Sequence, residues 1–348
     1  MKIDKIFLLT DYKGHFGSKH FDVPYRSGFS KDLLIQYFER AGIAAEAVPF
    51  ADLDLSPSSV KGKAFLYTSS EDIGYHYKTY IEDIVLGIET AGGMPIPQFK
   101  YLRANNNKVL MEILRLQSGL DAIKSIKSNC YGTLEELLKD ERLRTSAFPK
   151  VLKLSEGASG RNVQLARDYR SLVRQVKRMC RTRHVFEDIW DYGRSLKHKG
   201  YIRESLYRKK YVVQDFVPNL ANDWKVYVFY DSYFVFYRPV FRSRKFKASG
   251  GGYDNYAYGL KANIPDGLLD FAKRIRDIFD VPQMSLDIGW NGKEFYLFEF
   301  QFVYFGTAGI VYSSEYFTCE DGSWTSKNNS KDQEFFYVNS VVKYLNNR

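Results

Sequence analysis

The sequence predicts an α/β fold in which a parallel sheet near the N-terminus is followed by antiparallel α+β layers. Three observations support this class. Apolar runs alternate with a helical pattern through residues 5–68, the order that builds a parallel sheet. Apolar runs between residues 211 and 240 reverse at Asp231 and Ser232, and Asn291-Gly292 joins two more strands, which predicts a hairpin.

The first strand, residues 5–10, ends in a loop that contains Gly14 and Gly17. The spacing of these glycines is not GxGxxG, so no dinucleotide site is predicted at this end. Ser30 stands where its side chain can cap a helix that begins at Lys31.

Strands at 44–49 and 63–68 continue the alternating pattern. Residues 68–78 follow the third strand, at the edge where open α/β sheets bind ligands. We expect this segment either to contact a second substrate or simply to cap the helix over residues 78–89.

The middle of the chain predicts a helix that begins at residues 105–107 and carries Lys108, with apolar residues at helical spacing from Val109 to Leu120. It also predicts a strand over residues 148–154. The strand runs into a loop of small residues, 155–163, which is not the GxxxxGK[ST] phosphate loop. Its small side chains would still let backbone N–H groups approach phosphate oxygens, although an ordinary glycine-rich hairpin fits equally.

Most of the net charge of +10 lies in residues 170–210, where 13 Lys or Arg face 4 Asp or Glu. This segment, called the basic segment below, predicts helices over residues 168–183 and 187–197. It fits a solvated helical face, or a landing surface for an acidic partner or phosphate groups. Nucleic-acid binding is disfavoured because aromatic residues do not alternate with these cations as a stacking platform requires.

The hairpin at 285–302 carries the candidate metal ligands. A three-residue loop, 290–292, with glycine at its left-handed third position sets Asp287 opposite Phe295. A two-residue loop would put Glu299 on the other face. With the three-residue loop, four residues share the face of Asp287: Phe295, Leu297, Glu299 and Gln301.

The second hairpin strand is apolar or aromatic on both faces, so a carboxylate there needs a cation. Asp287, Glu299 and Gln301 supply the hard oxygen ligands that Mg²⁺ uses beside phosphates. The alternative is a pair of surface acids on an ordinary meander.

Composition excludes several classes of protein. Cys130, Cys180 and Cys319 are widely spaced, which predicts free thiols in a reducing cytoplasm and neither a disulfide framework nor a zinc site. We expect no membrane span, because every apolar run is shorter than the roughly 20 residues that cross a bilayer. We expect no signal peptide, because Asp4 and Lys5 precede a short apolar run.

Over residues 100–310 the order of these parts resembles the ATP-grasp superfamily of ligases, in particular its amino-acid-adding, glutathione synthetase-like branch. Lys108 and Lys153 stand where the two nucleotide lysines would be. Asp223 and Lys225 resemble a D-x-R strand, and Arg242 lies in a stretch similar to an F-R-S-N loop. Further matches are Glu156, Gly157, Ser159 and Gly160 in a phosphate-covering loop, and Gln214, Asp215, Phe216 and Val217 in an adenine hinge.

Three positions depart from the family pattern. Gln301 replaces the usual Asn, and Lys225 replaces Arg, which keeps the charge but loses the bidentate fork. Ser285 stands where some dipeptide-forming members carry an arginine. The resemblance therefore implies that Arg238 or Arg242 steadies the tetrahedral intermediate.

The resemblance implies an ATP-grasp fold with a flavodoxin-like parallel-sheet domain at 1–104. A lid subdomain at 105–213 and a metal-binding subdomain at 214–348 would follow and sandwich ATP. The implied cofactors are ATP and Mg²⁺, with Mn²⁺ as an alternative ion. The implied chemistry is carboxylate activation to an acylphosphate, followed by attack of an amine.

Substrates are expected to be small-molecule or peptide carboxylates and amines. An acidic acceptor, such as a uronic-acid-containing polysaccharide precursor or an acidic peptide, would suit the basic surface. An ATP-dependent kinase and a nucleotide-sensing or nucleic-acid-binding module are the alternatives, and a homodimer is left open.

Overall fold

A computed structural model of the chain describes residues 3–17, 28–70, 72–157, 162–182, 184–220, 222–239 and 264–348. The chain forms two compact units. Unit 1 contains residues 1–105 and 220–348, and unit 2 contains residues 106–219.

The strands and helices follow in chain order: β1 (Lys5–Thr10), α1 (Lys31–Arg40), β2 (Ala44–Pro49), α2 (Pro57–Val60), β3 (Ala64–Leu66), α3 (His76–Thr90), β4 (Met94–Ile96), α4 (Phe99–Ala104), α5 (Lys108–Gln117), β5 (Ser128–Tyr131), α6 (Leu134–Lys139), α7 (Glu141–Thr145), β6 (Lys150–Leu154), β7 (Val163–Ala166), α8 (Tyr169–Cys180), α9 (Val185–Lys197), β8 (Tyr211–Asp215), β9 (Asn222–Phe229), β10 (Ser232–Pro239), α10 (Leu268–Ile278), β11 (Gln283–Trp290), β12 (Phe295–Gln301), α11 (Ala308–Tyr312), β13 (Glu315–Glu320), β14 (Ser323–Asn328) and α12 (Gln333–Asn346).

The parallel sheet predicted for the N-terminal part is confirmed, with strand order β2-β1-β3-β4. All of its adjacent strand pairs are parallel. The Ser30 cap is also confirmed, since its side chain accepts a hydrogen bond from the Leu33 backbone N–H. Helix α1 buries Leu34 and Phe38 in the core that lies against this sheet.

Unit 1 also contains a six-stranded sheet with strand order β12-β11-β9-β10-β13-β14. Its pairs are antiparallel, and the longest ladder joins β9 to β10 from Ser232 opposite Phe229 to Pro239 opposite Asn222. Side chains alternate between the two faces, so Lys225 and Tyr227 lie on the face opposite to Val226 and Val228. Helix α12 contributes Tyr337 and Val341 to the core beneath this sheet.

Unit 2 is built on an antiparallel sheet with strand order β5-β8-β6-β7. On one face, Leu152 and Val213 pack against Leu137 of α6 and Val176 of α8. On the other face, Val212 lies opposite Lys153 and Gln214 lies opposite Val151. Lys153 and Gln214 therefore share the face that this core does not use.

Within the described parts of the chain, no helix has the length and apolar composition needed to span a membrane.

Candidate active site

The β11–β12 hairpin differs from its predicted register. Trp290 pairs with Phe295, so four residues connect the strands and the three-residue loop was wrong. The Asn291 side chain closes this longer turn by accepting hydrogen bonds at 2.9 Å from the backbone N–H groups of Lys293 and Glu294. Gly292 does adopt the predicted left-handed conformation, with a φ of +93°.

A bulge keeps Glu299 on the face of Asp287, although the longer turn by itself would have put it on the other face. Ile288 pairs with Leu297, whereas the next residue, Asp287, pairs with Glu299, so Phe298 is an extra residue in β12. Asp287 therefore lies opposite Glu299, and its predicted pairing with Phe295 was wrong.

The faces follow from this register. Ser285 pairs with Gln301, so Glu299 and Gln301 share the face of Asp287, as predicted. Phe295 and Leu297 were predicted for the same face but lie on the other one, opposite Trp290 and Ile288.

Two cations lie between the acids of this face. The Lys225 ammonium is 2.9 Å from Asp287 Oδ1. The Arg238 guanidinium bonds Asp223 through Nε at 2.5 Å and Nη2 at 2.7 Å, and its Nη2 is also 2.9 Å from Asp287 Oδ2. Asp223, Lys225 and Arg238 are each less than a tenth exposed, so these charges form a buried network.

Burial and charge act differently on the two aspartates. Burial raises the pKa of Asp223 to about 6, although the positive charge of Arg238 opposes that rise. Burial also acts to raise the pKa of Asp287, but Arg238 and Lys225 together outweigh it and hold that pKa below its usual range. Asp287 thus stays ionised through the physiological range, whereas Asp223 is the group that takes up a proton first.

The residues fit a divalent cation on chemical grounds. In the described residues, no three His, Cys, Asp or Glu side chains lie close enough together to hold a metal ion without another type of ligand. A site here would therefore use two carboxylates, Asp287 and Glu299, with the amide of Gln301 as the third ligand. The Gln301 amide nitrogen donates to the Tyr304 carbonyl at 3.3 Å, which leaves the amide oxygen as the atom that can bind a cation.

Two further predictions concern catalytic arginines. Arg238 is only 3% exposed and is bound to Asp223 and Asp287. Arg242 lies outside the described residues. Ser285 is 1% exposed, and its hydroxyl meets no hydrogen-bonding group in the part of the chain that the structure describes.

In unit 2, Lys108 lies at the start of α5 and reaches the small-residue loop. Its ammonium donates to the Gly157 carbonyl at 2.8 Å, and its backbone N–H donates to the Ser155 carbonyl at 2.9 Å. The Ser155 hydroxyl donates to the Asn107 side chain at 2.9 Å. Lys108, one of the two predicted nucleotide lysines, is therefore hydrogen-bonded to the predicted phosphate-covering loop.

The described part of that loop is shaped by Asn162. Its amide donates to the Glu156 carbonyl at 2.9 Å, and a β-carbon at Gly157 would lie 2.6 Å from the same amide nitrogen. Gly157 has a φ of +115°, so it needs glycine for both its conformation and its close neighbour. Ser159 and Gly160 lie outside the described residues.

The predicted adenine hinge has protein partners for two of its side chains. The Gln214 amide donates to Glu112 Oε1 at 2.5 Å, and Asp215 pairs with the Lys150 ammonium at 2.5 Å. Val217 is buried, and Phe216 follows the end of β8. The side chains of Gln214 and Asp215 therefore hold the strand in place, and contact of this hinge with a base stays a prediction.

Glu112 and Arg115 on α5 were missed by the sequence analysis. They form a buried ion pair one helical turn apart, and Arg115 Nη2 also donates to the Ile126 carbonyl at 2.9 Å. The Ser128 hydroxyl donates to Glu112 at 2.5 Å. The only available signal was a charged pair in a helix that begins with Lys108, and such pairs are usually solvated.

Comparison with known proteins is informative at the level of structure. The sequence matches no protein-family model and no curated protein. A RimK domain protein ATP-grasp from Sphaerobacter thermophilus DSM 20745 is similar over 98% of both chains, with 14% identity and a TM-score of 0.52. The D-cycloserine synthetase DcsG is similar over 98% of this chain and 99% of its own, with 12% identity and a TM-score of 0.55. This likeness shows the fold alone and confirms the predicted fold: the chain has the ATP-grasp fold.

Proposed function

We propose that this chain is an ATP-dependent ligase that joins a carboxylate to an amine and releases ADP and phosphate. The observation that carries the proposal is the pairing of Asp287 with Glu299 on a sheet face where two buried cations, Lys225 and Arg238, are paired with acids. Two adjacent carboxylates on one sheet face, of which Asp287 is held ionised by its two cations, are suited to binding a divalent cation.

The reaction has two steps. A substrate carboxylate oxygen attacks the γ-phosphorus, the bond to the β,γ-bridging oxygen breaks, and ADP leaves. The amine nitrogen then attacks the acyl carbon, phosphate leaves with the former carboxylate oxygen, and the nitrogen gives up a proton. The product is an amide or peptide bond.

Asp287, Glu299 and Gln301 would hold Mg²⁺, or Mn²⁺ in its place. When bound, the ion would neutralise charge on phosphate oxygens. Lys225 and Arg238 keep the Asp287 carboxylate ionised and fixed in orientation, because each of its oxygens accepts from one of these two cations. We therefore assign both cations a positioning role, in addition to the role in steadying the tetrahedral intermediate implied for Arg238.

Lys108 and Lys153 would neutralise phosphate oxygens of the nucleotide. Lys108 is supported by its contact with Gly157, which places a cation on the small-residue loop. Lys153 is supported by its position on β6, on the sheet face that the unit 2 core leaves unused. The backbone of residues 214–217 would meet the adenine edge.

The decisive experiment measures ADP release from Mg²⁺-ATP with a panel of carboxylates, each with and without amines. A ligase releases ADP at full rate only when both the acid and the amine are present. Stoichiometric phosphorylated product that needs no amine would identify a kinase instead. Glu299→Ala is the control. ADP release by this variant at the wild-type rate would show that Glu299 is not a metal ligand.

The substrates we propose are a small-molecule or peptide carboxylate and an amine, with an anionic acceptor favoured by the basic segment. We also propose that the enzyme works in the cytoplasm, where ATP is available and its cysteines stay reduced. The panel should therefore include acidic peptides and uronic acids beside neutral amino acids.

A further inference from the structure

Helix α9 exposes its apolar side to solvent and turns its acidic side toward other residues of unit 2. Six large side chains on this helix are more than half exposed: Val185, Phe186, Ile189, Trp190, Tyr192 and Leu196. At 100° per residue they occupy one continuous side of the helix. A helix that only covers a protein core has the opposite arrangement.

The inward side of α9 is held by polar contacts. Asp188 pairs with the Arg181 guanidinium at 2.6 Å. Asp191 is 5% exposed, accepts from the Tyr201 hydroxyl at 2.5 Å and pairs with Arg203 at 3.2 Å. Asp191 and one oxygen of Asp188 thus have partners within the protein, so the outward direction of the apolar side is fixed by specific interactions.

The exposed side is a ridge and not a groove. Phe186 is 83% exposed and Trp190 is 70% exposed. Walls of a groove would shield such side chains, so the ridge suits a partner that can deform around it. Ile202, which is 86% exposed, adds a further apolar side chain just beyond the helix.

Cations border the ridge. Arg194 and Lys197 lie on α9 itself and are exposed, and the Arg203 guanidinium lies 5.5 Å from the Tyr192 ring centre. The helix also lies within the basic segment, where 13 Lys or Arg stand against 4 Asp or Glu in the sequence. A second copy of the chain is disfavoured as the occupant, because a symmetric contact would bring these cations against each other.

We propose that α9 binds the surface of an anionic lipid bilayer and holds the protein there as a peripheral protein. Phe186, Trp190 and their apolar neighbours enter the boundary between headgroups and acyl chains, where Trp and Tyr are favoured. Arg194 and Lys197 meet lipid phosphate groups at the same depth. This inference is independent of the ligase proposal, because it uses neither ATP nor the acids of unit 1.

The test is co-sedimentation of the full chain with vesicles, without nucleotide. One set of vesicles is phosphatidylcholine alone, and the other contains phosphatidylcholine and phosphatidylglycerol. We expect strong binding only to the anionic vesicles, weakened by added salt as headgroup charges are screened. The tryptophan emission should shift to shorter wavelength on binding and lose that shift in a Trp190→Phe variant.

Two double variants separate the contributions of the apolar and the charged side chains to vesicle binding. Phe186→Ser with Trp190→Ser should weaken binding by about 10-fold or more, because two large apolar groups no longer leave water. Arg194→Gln with Lys197→Gln should weaken binding to anionic vesicles by roughly 25-fold, at about fivefold for each cation. Leu116→Ser, a half-exposed leucine of α5 in the same unit, is the matched control and should bind as the wild type does.

All of these side chains are exposed, so the thermal unfolding temperature of each variant should equal that of the wild type. Wild-type protein that stays in the supernatant with anionic vesicles would overturn the proposal. It would also be overturned if the Phe186 and Trp190 double variant bound unchanged. Self-association, or binding to polyglutamate without binding to vesicles, would show that the ridge serves a protein partner instead.

Discussion

Asp287 and Glu299 lie directly opposite each other on neighbouring antiparallel strands because β12 contains one extra residue, Phe298. Without that bulge, the four-residue turn would set Glu299 opposite Leu286 and turn it to the other face of the sheet. The candidate metal site therefore depends on a local irregularity of the hairpin as well as on its acids.

Glu299→Gln should lower ADP release by at least about 100-fold while leaving the fold intact, because it removes the charge of a proposed ligand and keeps its shape. Steady-state ADP release at several Mg²⁺ concentrations measures the effect. Glu294→Gln, in the turn of the same hairpin, is the matched control and should keep wild-type activity. Equal loss in both variants would mean that the hairpin, and not a ligand, had been damaged.

Gly289 is the position that admits the bulge. A β-carbon there would overlap the Phe298 ring and approach the Leu220 side chain at 3.3 Å. Gly289→Ala should therefore lower the free energy of unfolding by about 1–3 kcal/mol, the usual range for overpacking. It should also lower activity, since the displaced ring distorts the pairing of Asp287 with Glu299.

The double variant Gly289→Ala with Phe298→Ala tests whether overlap with the Phe298 ring causes the loss of activity. It should recover most of the lost activity, because the smaller side chain at 298 makes room for the new methyl group. Chemical denaturation and ADP release, measured on both single variants and the double variant, give the coupling between the two positions. Independent, additive effects would show that the two residues do not constrain each other.

The buried pair of Glu112 and Arg115 predicts a large effect on the stability of unit 2. Glu112→Gln should lower the free energy of unfolding by about 3–5 kcal/mol, because it leaves the Arg115 charge buried without its counter-ion. Denaturant unfolding is the measurement. Glu141→Gln is the control, since Glu141 and Arg144 have the same spacing but are exposed, and its effect should stay below about 1 kcal/mol.

Several features were predictable from sequence because their causes are local. The alternation of strands with helices set the parallel sheet, and Ser30 caps α1 as its position suggested. The left-handed Gly292 follows from the Asn-Gly pair. The strand and helix signals, the cap and the turn each depend on neighbouring residues, so the pattern of the chain is enough to predict them.

The remaining features depend on residues far apart in the chain. The bulge at Phe298 needs the space that Gly289 leaves for the Phe298 ring beside the Leu220 side chain, which no strand pattern records. The partners of Asp287, namely Lys225 and Arg238, were expected in other roles, because their convergence on one carboxylate appears only when β9, β10 and β11 are adjacent. Unit 1 is also discontinuous in sequence, since residues 220–348 return to the unit that begins the chain.

The last prediction concerns Asp223 and Asp287, which share Arg238 but respond to pH in opposite directions. Asp223 has a pKa near 6, above its value of about 3.9 in an unfolded chain. The folded protein therefore binds this proton more tightly, so Asp223 contributes a rise in the free energy of unfolding as pH falls from about 6 to about 4. Asp287 has a lowered pKa, so its contribution is present above about pH 4 and is lost at lower pH.

Asparagine substitutions distinguish the contributions of Asp223 and Asp287 to the free energy of unfolding at pH 7. Asp223→Asn imitates the protonated form, whose burial costs less than that of the ionised form, so it should be at least as stable as the wild type and should lose the rise between about pH 6 and pH 4. Asp287→Asn removes the ionised form that Lys225 and Arg238 stabilise, so it should cost about 3–5 kcal/mol at pH 7. Denaturant unfolding from pH 4 to pH 8 provides both measurements, and subtracting the wild-type curve removes the contributions of all other carboxyl groups. If Asp223→Asn proved the more damaging at pH 7, the assignment of the raised pKa to Asp223 would be reversed, because the arginine would then stabilise that carboxylate more than burial opposes it.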